Sequence, residues 1–302
     1  MFKKLLRRIL PVEIYNTLAK NVKRIKSVVA SAVASIMLAV FQILPVRVLV
    51  ELKSRLNIIK KLDYRRVDIQ LNVSSLTELD LRLKSCQKEP ETIEWLSGSL
   101  KPGSILYDIG ANVGAYSLIA AKLHEDISVF AFEPVAETYA SLVRNITLNN
   151  VLNNVSPLPV ALSDNKGVVK FFYSGMEAGA ARHLGLKGSS GNNFTNVVSI
   201  PLDDICTEYQ LPKPTHIKID VDGAELLVVK GGLELLKTGC VESMLIEMDS
   251  LETDCEEMLR MLSAVGYVVT ATYPRGDDTT NNYIFGKAVS QSTAQAEKQG
   301  VV

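Results

Sequence analysis

The stretch that decides the fold is Ile105-Leu-Tyr-Asp-Ile-Gly-Ala-Asn-Val-Gly114. Its first five residues form a short apolar run that predicts a buried strand, and Val113 to Leu123 has the pattern of a helix. The glycines between them let the backbone turn sharply and come close to a ligand. The sequence therefore predicts a ligand-binding turn between a strand and a helix.

The chain on both sides of this turn alternates between strand and helix patterns. Further strands are predicted at 67–73, 129–132, 155–162, 197–200, 216–220, 243–247, 267–270 and 282–285. Further helices are predicted at 91–100, 134–148, from 224 onward and at 252–265. Alternating units of this kind predict an α/β fold with a largely parallel sheet and helices on both faces.

The chemistry of the turn favours one class of cofactor. Asn112 stands where dinucleotide-binding turns carry their second glycine, which argues against NAD and FAD. Asp108 ends the first strand and suits a positively charged amino group, whereas Glu133 ends the second strand and can accept hydrogen bonds from ribose hydroxyls. S-adenosylmethionine (SAM) has an amino acid, a sulfonium and a ribose but no phosphate. The sequence therefore predicts SAM as the cofactor.

Four motifs in this order resemble the FkbM-type SAM-dependent methyltransferases. They are the 108–114 turn, Phe132-Glu-Pro134, Ala161-Leu-Ser-Asp164 and Ile217-Lys-Ile-Asp-Val-Asp-Gly-Ala-Glu225. The resemblance covers residues 100–288 and implies a class I, Rossmann-like methyltransferase with a mostly parallel seven-stranded sheet. It also implies O-methylation, often of sugars or of polyketide and lipid-linked products.

The resemblance assigns roles around the cofactor. It implies that the turn surrounds the methionine part of SAM through Asp108, Gly110, Ala111, Asn112 and Gly114. Glu133 is expected to hold the ribose, and Ser163 and Asp164 are expected to meet the adenine. An ordinary turn, Ser-Asp-Asn-Lys-Gly, is the alternative for the last two residues.

Acids near the later motif are the candidates for catalysis. Asp220 ends a strand expected beside the first one and is the leading candidate to orient the acceptor or take its proton, followed by Glu225 and Glu247. Asp222, where the family more often has glutamate, is a candidate for substrate contact. The alternative for Asp222 and Glu225 is a turn that begins the next helix.

Two further predictions concern the substrate and a metal. His183, in a glycine-rich excursion at 174–196, is a candidate for acceptor contact, although a loop histidine is more often simply solvated. The acids could bind a divalent cation, but no additional ligand spacing supports one, so no metal is expected.

The charge distribution bears on partners. Lysine plus arginine equals aspartate plus glutamate at 33 each, so we expect no nucleic-acid partner. Residues 1–26 nevertheless carry eight basic side chains and one acid, Glu13. Residues 27–46 carry no charge, and basic residues follow them as well. A span, a helix on an anionic membrane surface and a helix packed on the domain all fit, and the first is the least favoured.

The sequence thus predicts three segments: a basic and apolar helical extension at 1–66, a methyltransferase domain at 67–288 and a disordered tail at 289–302. It predicts a cytoplasmic location at the inner face of a membrane, with contact through residues 1–46. The expected acceptor is a small molecule or a glycan or lipid-linked hydroxyl. An NAD-dependent oxidoreductase and a catalytically silent membrane adaptor with the same fold are the rival hypotheses.

Overall fold

A computed structural model describes residues 11–173, 183–185, 194–251, 253–275 and 279–288. It divides the chain between Asn57 and Ile58. The sequence placed this boundary after residue 66. The structure places it earlier because strand β1 (Ile59–Lys61) pairs antiparallel with strand β2 (Gln70–Asn72) and so belongs to the second unit. The predicted tail at 289–302 lies outside the described residues.

The described part of the first unit, from residue 11 onward, contains two helices, α1 (Val12–Phe41) and α2 (Val46–Arg55). Pro45 precedes α2, where its fixed φ suits the start of a helix. Among the described helices, α1 is long and apolar enough to cross a membrane. One window of 18 residues within it has a mean hydropathy of 1.7, and none of that window is buried.

The second unit is built on strands and helices that alternate, as the sequence predicts. The remaining strands are β3 (Ile105–Ile109), β4 (Ser128–Phe132), β5 (Val155–Leu158), β6 (Ala161–Ser163), β7 (Gly167–Tyr173), β8 (His183–Gly185), β9 (Phe194–Pro201), β10 (His216–Ile219), β11 (Ser243–Asp249), β12 (Tyr267–Pro274) and β13 (Thr280–Lys287). The helices are α3 (Leu76–Asp80), α4 (Ser85–Lys88), α5 (Pro90–Ser99), α6 (Ala115–Ala121), α7 (Ala136–Leu148), α8 (Leu202–Thr207), α9 (Glu225–Lys230), α10 (Leu233–Lys237) and α11 (Thr253–Ala264).

The main sheet has seven strands in the order β12-β13-β11-β10-β3-β4-β5. Strand β13 pairs antiparallel with both neighbours, and the other described pairs are parallel. Strand β4 lies on one side of β3, and β10 lies on the other side. The strand order therefore reverses at β3, and ligands bind in such sheets at the carboxyl ends of the two strands beside this point, β3 and β10. This order confirms the predicted class I methyltransferase fold.

A smaller four-stranded sheet has the order β6-β9-β7-β8. The sequence predicted one continuous strand at 155–162, and that prediction was wrong. Pro159 lies between β5 and β6 and cannot donate a backbone hydrogen bond, so the two halves enter different sheets.

The core lies on both faces of the main sheet, and alternate residues of β3 show the two sides. Leu106 packs in one apolar cluster with Leu118 of α6, whereas Tyr107 and Ile109 pack in the other with Ile217 of β10. Asp108 therefore faces the same side as Leu106. This alternation positions the site residues that follow.

Candidate functional site

The turn after β3 has the strained backbone that its sequence predicts. Gly110 has φ +80° and Gly114 has φ +88°, and Asn112 adopts the left-handed region at φ 51°. A Cβ at Gly110 would lie 1.9 Å from the carbonyl oxygen of Asp220. The turn therefore touches the end of β10 so closely that only glycine fits.

Glu133 holds this turn from the neighbouring strand. Its Oε2 accepts a hydrogen bond from the Asn112 backbone N–H at 3.1 Å, and its Oε1 accepts one from the Val135 N–H at 2.8 Å. The side chain is buried, and burial raises the pKa of Glu133 to about 7 despite both hydrogen bonds. Each oxygen keeps a second lone pair for a ribose hydroxyl.

Two adjoining clefts open beside the turn, with empty volumes of about 300 and 340 Å³. They share Gly110, Pro134, Phe171 and Val221. The polar cleft adds Asn112, Glu133, Asp220 and Asp222. The other cleft adds mostly apolar residues, which are Ile109, Phe132, Val160, Ala161, Leu162 and Ala224. A polar cleft beside an apolar cleft suits a ligand that joins a nucleoside to a charged group.

Asp108 lies beneath the turn. It is 1% exposed, and its Oδ2 accepts a hydrogen bond from Ser117 Oγ at 2.5 Å. Its Oδ1 has no hydrogen-bond partner in the described part of the chain. Burial raises the pKa of Asp108, against the opposing charge of Lys218 and the bond from Ser117. One acceptor atom is thus left for a donor such as an amino group.

Lys218 is a buried cation at the centre of the site. The strand register places it directly beside Asp108, and its Nζ donates to Asp220 Oδ2 at 2.9 Å. Its side chain is 2% exposed and lies 5.0 Å from the ring centre of Tyr116. Burial alone would raise the pKa of Asp220, but Lys218 holds that pKa below the ordinary aspartate value. Asp220 is therefore a charged carboxylate and a weak base.

Asp222 and Glu225 form the turn that begins α9. Asp222 has φ 53° and Gly223 has φ +100°, and Glu225 accepts hydrogen bonds from the N–H groups of Val221 at 3.2 Å and Gly223 at 3.0 Å. Asp222 lines the polar cleft, as predicted for a substrate contact. Glu225 has the geometry of the alternative interpretation, in which it caps the turn.

Glu247 lies at the same edge of the sheet as Asp220. The register pairs Ile246 with Ile219, so the residues that follow them are neighbours on one face. Burial and then the negative charge of Asp220 raise the pKa of Glu247 to about 8. This carboxylate is therefore the better proton acceptor of the two.

An arginine from outside the motifs holds Glu247 in place. Arg275 Nε lies 3.1 Å from Glu247 Oε2, and its Nη1 lies 2.7 Å from Glu89 Oε1 and 3.8 Å from Glu91 Oε1. Asn282 also donates to Glu91, at 2.7 Å. Because one guanidinium is shared by three carboxylates, it neutralises each only in part.

Ser163 and Asp164, which were predicted to meet the adenine, do not line the clefts. Ser163 Oγ is paired with Ser199 Oγ at 2.8 Å and accepts from the Asn165 N–H, which is the ordinary-turn alternative. Asp164 is exposed. Within the described chain, the apolar cleft is lined by their neighbours Ala161 and Leu162 instead. His183 begins β8, and its side chain lies outside the described residues.

Sequence reasoning missed Lys218, Arg275, Pro134 and Phe171 as site residues. A lysine between two isoleucines in a buried strand is a signal that could have identified Lys218. The proline was quoted within its motif but given no role. Nothing local marks Arg275 or Phe171, because distant pairing brings them to the site.

Comparison with known proteins shows which family the chain matches. The model of the methyltransferase FkbM domain matches residues 108–269, more than half of the chain. Hexuronic acid methyltransferase AglP of Haloferax volcanii is 27% identical over 194 residues, or 64% of this chain and 75% of the relative. 2-O-methyltransferase NoeI of Sinorhizobium fredii is 28% identical over 191 residues, or 58% and 77%.

Two other FkbM proteins are similar. The 31-O-demethyl-FK506 methyltransferase FkbM of Streptomyces tacrolimicus is 28% identical over 200 residues, covering 57% of this chain and 75% of that protein. The crystal structure of methyltransferase FkbM from Methylobacillus flagellatus is 18% identical with a TM-score of 0.42, covering 68% of this chain and 52% of that one. The family match, the sheet order and the cleft between turn and acids agree, and the chain belongs to the FkbM family of SAM-dependent methyltransferases.

Proposed function

We propose that this enzyme O-methylates a hydroxyl group of a glycan, a lipid-linked sugar or a secondary metabolite. The observation that carries the proposal is the position of Glu247, which follows the strand position paired with Ile219 and so lies beside Asp220, a residue that lines the polar cleft. Burial and the charge of Asp220 raise the pKa of this carboxylate to about 8. A hydroxyl is a poor nucleophile, and a base of this strength near its proton makes it a better one. Relatives named for 2-O-methylation and for hexuronic acid methylation support a sugar acceptor.

The chain has suitable groups for each part of SAM. The apolar cleft around Phe171 and Leu162 suits the adenine, and Glu133 can accept hydrogen bonds from the ribose hydroxyls. The unpaired Oδ1 of Asp108 and the Asp220 carboxylate suit the amino group. When bound, SAM supplies an electrophilic methyl group on a positively charged sulfur.

The residues of the chain align and deprotonate the acceptor. Asp220 is kept charged by Lys218, so its role is to orient the acceptor hydroxyl and to favour positive charge nearby. Glu247 takes the hydroxyl proton as the oxygen–carbon bond forms and the carbon–sulfur bond breaks. Much of the rate comes from holding oxygen, carbon and sulfur in line. This assignment moves Glu247 ahead of Asp220 as the base.

Glu133 gives a prediction about pH. We expect SAM to bind about ten times more weakly at pH 6 than at pH 8, because a carboxylate with a pKa near 7 is mostly protonated at the lower pH and then accepts fewer hydrogen bonds. Affinity should rise as pH passes through 7 and level off above it. Isothermal titration across pH 5.5–8.5 measures this.

Two variants control that experiment. Glu133→Gln should bind more weakly and lose the pH dependence, while Glu137→Gln, an exposed acid in the first turn of α7, should keep the wild-type curve. An unchanged pH dependence in Glu133→Gln would show that another group titrates.

The function itself is tested by turnover on a panel of acceptors. Purified enzyme and SAM should form S-adenosylhomocysteine and add 14 daltons (one CH₂ group) to uronic acid glycans, lipid-linked sugars or hydroxylated metabolites. Mass spectrometry of cellular glycans and lipids with and without the protein identifies the acceptor class.

The results separate the proposal from its rivals. Methylation on nitrogen, or no difference in any glycan, lipid or metabolite pool, contradicts it. Binding of SAM without turnover on any acceptor would support the silent adaptor, and binding of NAD without SAM would support an oxidoreductase.

A further inference from the structure

Helix α1 has two halves of different chemistry. From Val12 to Lys26 the basic residues Lys20 and Arg24 lie on one side of the helix, and Ile14, Leu18 and Val22 lie on the other. From Ser27 to Phe41 the helix carries no charge at all. Amphipathic basic helices with an apolar opposite side are typical of segments that lie at a membrane surface.

The apolar side chains of this unit are in solvent. Ile25 is 63% exposed, Val28 62%, Ile36 68% and Leu38 61%. A contiguous apolar surface of this length is not a normal property of a soluble domain, and it marks a site of association. The basic residues beside this apolar surface match the charge of an anionic leaflet, which favours a membrane over a protein partner.

Helix α2 repeats the amphipathic pattern. Arg47, Glu51 and Arg55 recur every four residues along one side of the helix, and Val46, which is 74% exposed, and Leu49 lie away from that side. Arg55 is paired with Glu51 at 2.6 Å, and Lys53 near the end of the helix can extend its charge to a lipid headgroup.

The charges on both sides of the uncharged segment bear on the choice between a span and a surface helix. Helix α1 is long and apolar enough to cross a membrane, so its length does not decide the question. Basic residues flank the uncharged segment on both sides, and both flanks therefore prefer the same, cytoplasmic leaflet. A helix that lies in the surface keeps both flanks on that leaflet, whereas a span separates them.

We infer that residues 12–56 are a one-sided membrane anchor, with α1 and α2 lying in the surface of an anionic leaflet. The basic side chains contact acidic headgroups, and the exposed apolar side chains enter the upper acyl region. The anchor does not depend on the identity of the methyl acceptor. It places the enzyme at the surface where lipid-linked hydroxyls are found.

Vesicle binding by the full chain tests this inference. We expect co-sedimentation with phosphatidylcholine vesicles that contain phosphatidylserine, and binding at least tenfold weaker to phosphatidylcholine alone. The triple variant Lys20→Gln, Arg24→Gln, Lys26→Gln should bind the anionic vesicles about 100-fold more weakly, since each basic residue near the surface contributes about tenfold or less. High salt should also weaken the binding of the wild-type chain to the anionic vesicles.

A matched variant controls for total charge. Lys101→Gln, Lys213→Gln, Lys287→Gln removes three exposed lysines from the second unit and should leave vesicle binding unchanged. SAM titration of both triple variants should match wild type, which shows that the catalytic unit is folded. Equal loss in the two triple variants would overturn the inference, as would self-association of the chain without any binding to vesicles.

A second measurement separates a surface helix from a span. Lys20→Cys and Gln42→Cys lie at the two ends of the apolar part, and both should react with a membrane-impermeant maleimide added outside the vesicles. Peptide mass spectrometry distinguishes these sites from the native cysteines. Modification at only one of the two would show that the helix crosses the bilayer.

Discussion

Lys218→Met is expected to destabilise the catalytic unit by about 3–5 kcal/mol, the cost of leaving buried charges without their partner. The lysine is the counter-charge for Asp220 at 2.9 Å and faces Asp108 across the strand pair. Removing it leaves two carboxylates beneath the cofactor cleft with no cation between them. Urea unfolding followed by circular dichroism measures the change in free energy of unfolding.

A partly exposed lysine gives the comparison. Lys230 pairs with Glu257 at 2.8 Å near the surface, and Lys230→Met should cost about 1 kcal/mol or less. The double variant Lys218→Met, Asp220→Asn should recover part of the loss because one uncompensated charge is gone. If Lys218→Met lowers the free energy of unfolding by no more than Lys230→Met does, then water reaches the Lys218–Asp220 pair.

Glu247→Gln is expected to lower kcat by about 10²- to 10⁴-fold, the usual contribution of a general base. SAM affinity should be unchanged, because the residues suited to SAM lie on the other strands of the site. The wild-type rate should rise with pH through about 8, where half of Glu247 is ionised, and level off above it, and this dependence should vanish in the variant. Steady-state kinetics between pH 6 and 9 measure both effects.

Glu242→Gln is the matched control, because this exposed glutamate lies just before the amino end of the same strand. It should keep the wild-type rate and pH profile. Asp220→Asn should lower the rate and keep a pH dependence that is shifted to lower pH, because the negative charge that raises the pKa of Glu247 is gone. If instead Asp220→Asn removes the pH dependence and Glu247→Gln retains it, then Asp220 is the base.

Local sequence patterns predict the turn and its cofactor well. Gly110, Gly114 and Asn112 adopt positive φ because those residue types tolerate it, and Glu133 ends its strand where the βαβ pattern places it. Short-range signals suffice for the turn, because the backbone conformation of each residue is set by its own type. The antiparallel strand β13 and the division at Pro159 depend on pairing across the chain.

The catalytic edge is harder to predict for the same reason. Arg275 reaches Glu247, Glu89 and Glu91 only after β12 and β13 have folded back on β11. Ser163 could equally be a cofactor contact or a turn residue from its motif, and its hydrogen bond to Ser199 of β9 decides between them. The order of Asp220 and Glu247 as bases depends on Lys218, two residues before Asp220, and on the pairing of β10 with β11, which brings Glu247 beside Asp220.

The Arg275 network also sets the smallest functional piece of this enzyme. The recognisable FkbM segment spans residues 108–269, yet Glu89 and Glu91 precede it and Arg275 and Asn282 follow it. A fragment cut to that segment would keep the cofactor turn. It would lose Arg275 and the carboxylates that pair with it, which hold Glu247 in place. A working catalytic core therefore has to extend at least from Glu89 to Asn282, and a motif search alone would draw its borders too tightly.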